Sequence, residues 1–423
     1  MHLLDDLASR GLAYQQTDAD GLREHLAAPR RVYGGFDPTR PSLTVGNLVP
    51  LLLLARFQRA GHRPVVVMGG GTGLIGDPSG KSSERPVLSA SDVEDHIQAQ
   101  RPVFERVLDF SGSNAAVVTN NADWLVPLRF VDVLRDVGKH FSINAMLQRD
   151  SVKERLNNRE QGISYTEFSY MLLQAYDFQY LYDTHGVTVQ VAGSDQWGNI
   201  VSGVDLIRRT RRVETFGFTT PLLTKSDGGK FGKTEQGAVW LTRSHTSPYA
   251  FYQFWLNAAD ADLPKYLRWF TFFDPERIET LLREHAENPG ARAAQQALAR
   301  AVTEIVHGAD ALAEAEAATQ ALFSGNVAGL ARESLDELFQ NAPSASLERS
   351  ALEGEGLALV DFLVRAEVAK SKREARELLS TRAILVNGRP GEVDGKITSE
   401  WLLHGEVALV RRGKKTWHVV RVR

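Results

Sequence analysis

The strongest constraint on this chain is an alternation near its start. Val32-Tyr33-Gly34-Gly35-Phe36 is an apolar run of strand length, Leu48 to Ala60 carries the apolar face of a helix, and Pro64-Val65-Val66-Val67-Met68 is a second strand. Strand, helix and strand joined by short connections predict a parallel α/β sheet of the doubly wound, Rossmann-like kind. Ligands of such sheets sit beyond the carboxyl ends of the strands. Both glycine-rich segments, Gly34-Gly35 and Gly69 to Gly76, fall at those ends.

The 423 residues, 43% hydrophobic and 24% charged, suffice for two to four domains with cores of their own. The first residues carry acids where a secretion signal needs bases, and no apolar run reaches membrane-spanning length, so the expected compartment is the cytoplasm and no membrane partner is expected. With no cysteine, disulfides and thiolate zinc sites are excluded, and the eleven histidines show no HExxH pairing. No resident metal is expected; a metal ion would arrive with a substrate.

Charge is unevenly distributed. From Leu357 to Arg423 there are 14 Lys and Arg against 8 Asp and Glu, a surplus of +6 on a body of −9. A basic end on an acidic body suggests a polyanionic partner for that end. Ser247 to Leu322 is helical in pattern, punctuated by Pro248, Pro264 and Pro275, and Asn341 to Ser346 reads as a linker. Beyond it, Ser371 and Glu374 form a capping-box pattern, and Asn387-Gly388 signals a hairpin turn after the strand Ala383 to Val386. No internal repeat is present.

Two phosphate-binding motifs fail on context. Gly71-Thr72-Gly73-Leu74-Ile75-Gly76 matches the dinucleotide fingerprint, but Asp77-Pro78-Ser79-Gly80 follows where a helix should continue, and the acids Asp92 and Glu94 lie in a helical pattern rather than at a strand end. Gly80-Lys81-Ser82 resembles the end of a P-loop, yet the position that needs its first glycine is Ile75. A third segment survives. Lys230-Phe231-Gly232-Lys233-Thr234 puts two lysines around a glycine on a loop introduced by Asp227-Gly228-Gly229, and two ammonium groups on such a tip can follow the charge developing on a leaving pyrophosphate.

Read together, Tyr33 to Thr39, Gly73 to Pro78, Gly162 to Phe178, Gly193 to Asn199 and the lysine loop resemble the bacterial tyrosyl-tRNA synthetases, a family of class I aminoacyl-tRNA synthetases, across essentially the whole chain. The lysine loop looks like the family's KMSKS signature, and Thr44-Val45-Gly46-Asn47 occupies its HIGH position. The resemblance implies a catalytic domain over 1–222, the lysine loop and a helical domain over 223–325, a linker over 326–352 and a small α+β RNA-binding module over 353–423.

On a helix, Tyr170, Gln174 and Asp177 share one face. The resemblance implies that Tyr33 and Asp177 hold a substrate phenol, that Asp77, Tyr170 and Gln174 hold its α-ammonium, and that Asn121 and Gln190 complete this pocket. A pocket that bonds a substrate hydroxyl rejects the analogue lacking it, because its own buried polar groups are left unpaired. Around ATP it implies Asp37, Thr39, Gly46, Gly193, Asp195 and Gln196, with Lys81, Arg85, Lys230, Lys233 and Thr234 near the pyrophosphate. ATP is expected as its magnesium complex, a substrate, with no permanently bound cofactor.

The HIGH position departs from the family, with Thr44 and Asn47 where it has histidines. An Asn amide presents an N–H near the place of an imidazole nitrogen, whereas Thr44 offers one shorter hydroxyl donor. Losing one transition-state donor typically costs about 10²- to 10³-fold in rate, so the expectation is an enzyme that tolerates Thr44.

Leu357 to Pro390 resembles the RNA-binding module shared by a small-subunit ribosomal protein and pseudouridine synthases, with Lys370, Lys372, Arg373, Arg376, Arg382 and Arg389 as its basic positions. Arg208, Arg209, Arg211 and Arg212 form a second basic cluster, beside the acceptor stem by resemblance. The implied activity is tyrosine-tRNA ligation, with L-tyrosine, ATP and tyrosine tRNA as substrates, no DNA, and a homodimer as the assembly. The rivals are an RNA-binding paralogue whose adenylation weakened at Thr44, and the related tryptophan enzyme, which Tyr33 with Asp177 suits less well.

Overall fold

The computed structural model describes residues 2–79, 88–149, 152–153, 156, 162–226, 228, 231–234, 237–327, 329–330, 332–339, 342–413 and 416–423. They form two compact units, 1–308 and 309–423.

The first unit is built on a six-stranded sheet: β1 (Gln15–Gln16), β2 (Arg31–Phe36), β3 (Arg63–Met68), β4 (Val117–Asn120), β5 (Val187–Gly193) and β6 (Phe216–Thr220), in the order β1-β6-β5-β2-β3-β4. All neighbours are parallel except β1 with β6. From β2 the chain crosses through α1 (Leu48–Arg59) to β3 and through α2 (Ala90–Val107) to β4; after α3 (Tyr165–His185) it returns to β5 and crosses through α4 (Trp197–Arg211) to β6. The strand order thus reverses between β2 and β5, and the crevice of a doubly wound sheet opens at such a reversal. Tyr33 of β2 and Gln190 of β5 are register partners across it.

Burial explains the strands and helices alike. β3 is buried at every position after Arg63, as expected of a parallel strand covered on both faces. α1 is buried nearly all round, from Leu48 to Gln58 apart from Pro50, and packs on β2, β3 and β5. It comes so close to β2 that a Cβ at Gly34 would lie 3.1 Å from Leu54 Cδ1. Asp92 and Glu94 lie inside α2, and among the described residues between β3 and α2 there is only a 3₁₀ turn, Thr72–Leu74, where the dinucleotide reading needs a helix.

Helices Pro248–Leu256, Leu263–Phe270, Pro275–Glu287 and Ala293–His307 belong to the same compact unit as the sheet. One reason is Arg56 of α1, whose buried guanidinium donates to the carbonyls of Arg268, Trp269 and Thr271 and so satisfies the carboxyl end of Leu263–Phe270. Another is the bridge between Thr44 and Trp240.

The second unit has a five-stranded sheet in the order Arg389–Pro390, Ile384–Val386, Val407–Arg412, Thr416–Val422 and Ser344–Leu347. Helices Leu359–Arg365 and Lys372–Ser380 bury Phe362, Leu363 and Leu379 with Ile384, Val386, Ala408 and Val410. The stretch 326–352, expected as a linker, carries helix Arg332–Leu338 and strand Ser344–Leu347. That strand pairs in parallel with Thr416–Val422, a partner some seventy residues away that a run of serine and alanine does not announce. Asn387 and Gly388 have φ of 50° and 84° between paired Val386 and Arg389, the two-residue turn read from the sequence. The capping box forms only in half. Ser371 accepts from Glu374 N–H, but the Glu374 carboxylate takes the N–H of Lys370 instead of that of Ser371. Among the described residues, no helix is long and apolar enough to cross a membrane.

Candidate active site

A cleft of about 670 Å³ opens where the strand order reverses. Its walls come from the carboxyl ends of the parallel strands, the start of α1 and one face of α3. Of the residues singled out above, Tyr33, Asp37, Thr39, Gly46, Asn47, Asp77, Asn121, Tyr170, Gln174, Asp177, Gln190, Gly193, Asp195 and Gln196 line it together. The other candidates lie elsewhere or are undescribed. Thr44 is not among the lining residues; Lys81, Arg85 and Lys230 lie outside the described residues, as do the side chains of Lys233 and Thr234.

The deepest part is organised by Asp177. Its carboxylate accepts from Asn121 Nδ2 at 2.9 Å and from Trp124 Nε1 at 2.7 Å. Burial outweighs those two bonds and pushes the carboxyl up to about 8, so it sits near the boundary between acid and carboxylate. Tyr33 is 1% exposed, its ring against Phe178 at 5.3 Å, and burial first, then the Asp177 charge, raise its phenol well above the ordinary value. Among the described residues the Tyr33 hydroxyl has no hydrogen-bond partner, and neither does the amide oxygen of Gln190 on the neighbouring strand. Buried polar atoms are nearly always paired, so two orphans on residues that line one cleft suit a polar ligand.

A second network runs along the wall. Tyr170 donates its hydroxyl to Asp37 at 2.8 Å, and the Thr72 hydroxyl donates to the other Asp37 oxygen at 2.7 Å. Tyr170 and Asp37, assigned from sequence to different ligands, are thus bonded to each other. Burial, then Asp37 and Asp77, raise the Tyr170 phenol, so it remains a donor. Gln196 donates to Asp77 at 2.6 Å, and Asn199 donates to both Gln174 at 2.9 Å and Gln196 at 3.1 Å. Four aspartates, 37, 77, 177 and 195, line the cleft. Such a wall suits an ammonium group and repels a triphosphate, which therefore needs cations on the rim.

Three supporting residues escaped the sequence reading. Trp124 follows β4 in a four-residue helix without periodicity, and Thr72 sits within a motif valued for its glycines. Asn199 closes the Gly193 to Asn199 motif, so its signal was present.

The lysine loop is tied to the start of α1. A Cβ at Gly232, where φ is +74°, would come within 2.6 Å of Val45 Cγ2, so a side chain there would push the loop away. Val239 N–H donates to Gly232 C=O, and Val45 N–H donates to Val239 C=O. Phe231 is seated among Phe254, Trp255, Tyr266 and Phe270, with centroids 5.3 to 5.9 Å away.

The basic candidates are exposed. Arg208 pairs with Asp205 and Arg211 with Asp183, both at 2.6 Å. In the second unit Lys370, Lys372, Arg373, Arg376, Arg382 and Arg389 all face solvent; Lys372 pairs with Asp361 at 2.6 Å, and Arg389 lies over the Trp401 ring at 5.5 Å.

A mostly parallel, doubly wound sheet with this cleft defines a Rossmann-like α/β fold, and comparison with known proteins places it further. Residues 26–324 match the family described as tRNA synthetases class I (W and Y), and residues 334–420 match the SYY-like C-terminal domain of tyrosine–tRNA ligase. The chain belongs to the class I tRNA synthetases of this tryptophan and tyrosine group. It is 49% identical to a tyrosine–tRNA ligase of Roseiflexus castenholzii, covering 99% of each chain, and 50% identical to one of Geobacillus kaustophilus over the full length of both. A C-terminally truncated mitochondrial tyrosyl-tRNA synthetase of Aspergillus nidulans superposes with a TM-score of 0.69 at 30% identity, over 76% of this chain and 94% of that one.

Proposed function

We propose that this chain is a tyrosine-tRNA ligase: it joins L-tyrosine to ATP as tyrosyl-adenylate, releases pyrophosphate, and transfers tyrosine to the 3′ end of tyrosine tRNA. The observation that carries the reading is the pair of orphaned polar atoms, Tyr33 hydroxyl and Gln190 Oε1, beside the buried Asp177. In this reading the Tyr33 hydroxyl donates to the substrate phenol oxygen, and the phenol O–H donates to Asp177. Asp77, Tyr170 and Gln174 take the α-ammonium against the acidic wall. The tyrosine carboxylate then attacks the α-phosphorus in line, a carboxylate O–P bond forms, and the bond to the leaving pyrophosphate breaks. No side chain becomes a covalent nucleophile; the chain contributes position and charge.

Asp37, Thr39, Gly46, Gly193, Asp195 and Gln196 hold the nucleotide, and Lys81, Arg85, Lys230, Lys233 and Thr234 meet the pyrophosphate, with magnesium arriving on ATP. Asn121 supports this pocket through Asp177 and also accepts from Gly71 N–H at 2.7 Å, tying it to the glycine turn after β3. In the second step a ribose hydroxyl of the tRNA attacks the adenylate carbonyl and AMP leaves. Arg208, Arg209, Arg211 and Arg212, with the basic face of the second unit, bind the RNA in the cytoplasm. A second copy covers the apolar side chains Val126, Phe130, Val131, Leu134 and Ile143, which the isolated chain leaves exposed. The test is aminoacylation of bulk tRNA with labelled tyrosine. Charging of one tRNA species is expected; binding of RNA without charging would favour the paralogue reading.

A further inference from the structure

Asn47 does not behave as a helix cap. It is the N-cap residue of α1, where asparagine ordinarily accepts from the N–H of the second or third helical residue, yet it makes no such bond. The third helical residue is Pro50, which has no N–H to give. The amide oxygen instead turns back on Thr44, accepting from its backbone N–H at 3.0 Å and from its hydroxyl at 3.0 Å. A backbone N–H can only donate, so the orientation of the amide is fixed and its NH₂ faces the other way. That NH₂ has no partner among the described residues, and Asn47 lines the cleft while Thr44 does not. The turn itself is pinned, with Asn47 N–H donating to Thr44 C=O at 2.9 Å and Val45 N–H donating to Val239 C=O at 3.0 Å.

We propose that Thr44 is a positioning residue that acts through Asn47: it locks the amide so that the NH₂ donates into the cleft toward the bound nucleotide. The inference rests on the reading of the cleft as an ATP site. It also explains how a chain with threonine at this position keeps a donor to the nucleotide. The hydroxyl of Thr44 is committed to Asn47, and the pair supplies one oriented donor in place of two independent ones.

The test is tyrosine-dependent exchange of pyrophosphate into ATP, with kcat and the KM for ATP resolved, for Thr44→Val, Thr44→Ser, Asn47→Ala and the Thr44→Val, Asn47→Ala double variant. Tyrosine affinity without ATP serves as the check on folding and is expected to stay unchanged. Asn47→Ala is expected to lose about 10²-fold in kcat, the effect of one transition-state donor. Thr44→Val is expected to lose about 3- to 10-fold, the effect of one neutral hydrogen bond, and Thr44→Ser to restore most of that loss. The double variant is expected to be no slower than Asn47→Ala alone, because two residues acting as one unit are not additive. Losses in the double variant that multiply, or a Thr44→Val variant equal to the unaltered chain, overturn the proposal. So does a gain of about tenfold or more in Thr44→His, which would mean that residue 44 meets the nucleotide itself. Absence of exchange in the unaltered chain overturns the assigned activity and this inference with it; exchange with multiplicative losses overturns the inference alone.

Discussion

At the buried end of the cleft, Asp177 is fixed before any ligand arrives, by Asn121 and Trp124, and the Tyr33 hydroxyl waits unpaired beside it. At the rim end, the side chains sit on the start of α1 and on a loop anchored by one phenylalanine among four other rings. The difference teaches a division of labour. Selecting a hydroxyphenyl group requires polar atoms held rigidly out of water, because discrimination comes from leaving them unpaired with the wrong ligand. Meeting the nucleotide falls to groups outside the sheet, among them Asn47 at the start of α1.

The sharpest break of this contrast is Asp177→Ala. It removes the proposed phenol acceptor and strands the N–H groups of Asn121 and Trp124, and kcat/KM for tyrosine in pyrophosphate exchange is expected to fall roughly 10³-fold. A fall confined to the KM for ATP would put Asp177 at the wrong end. Phe231→Ala probes the rim. Losing a half-buried aromatic anchor is expected to cost roughly 2 to 3 kcal/mol of loop docking, raising the KM for ATP and lowering kcat while calorimetric tyrosine affinity holds.

A smaller effect follows from acid–base chemistry. The phenol O–H prefers an ionised acceptor, and the carboxyl of Asp177 titrates at about 8, so tyrosine affinity is expected to rise as pH rises through that value. Between pH 6 and 7 the gain is about tenfold, below the range in which the α-ammonium of the free amino acid loses its proton. Asp177→Asn should flatten the profile, which titration calorimetry would record. The smallest change is expected from Arg376→Ala in the second unit. It should weaken tRNA binding uniformly and lower the slope of log affinity against log salt by about 1, with pyrophosphate exchange untouched.

Local pattern exposed the sheet because β2, α1 and β3 are each dictated by their own residues. The turn at Asn387-Gly388 was legible for the same reason, since its positive φ values need those residue types. Ser344–Leu347 was not legible: four small residues become a strand only because Thr416–Val422 lies beside them. The site divides likewise. Tyr170, Gln174 and Asp177 share a helix face that spacing alone reveals, whereas Trp124 reaches Asp177 from another element, across 53 positions of sequence. The turn of Asn47 toward Thr44 is not legible from spacing, and Pro50, which has no N–H, is recognised as the third helical residue only once α1 is known to begin at Leu48.

What occupies the space beside Tyr33, Gln190 and Asp177 decides which amino acid this chain takes. Titration calorimetry of the unaltered chain with tyrosine, phenylalanine and tryptophan in turn tests it directly. Tyrosine should bind while phenylalanine and tryptophan give no heat at the same concentrations. Comparable affinity for tyrosine and phenylalanine would contradict it, for then no buried atom reads the hydroxyl.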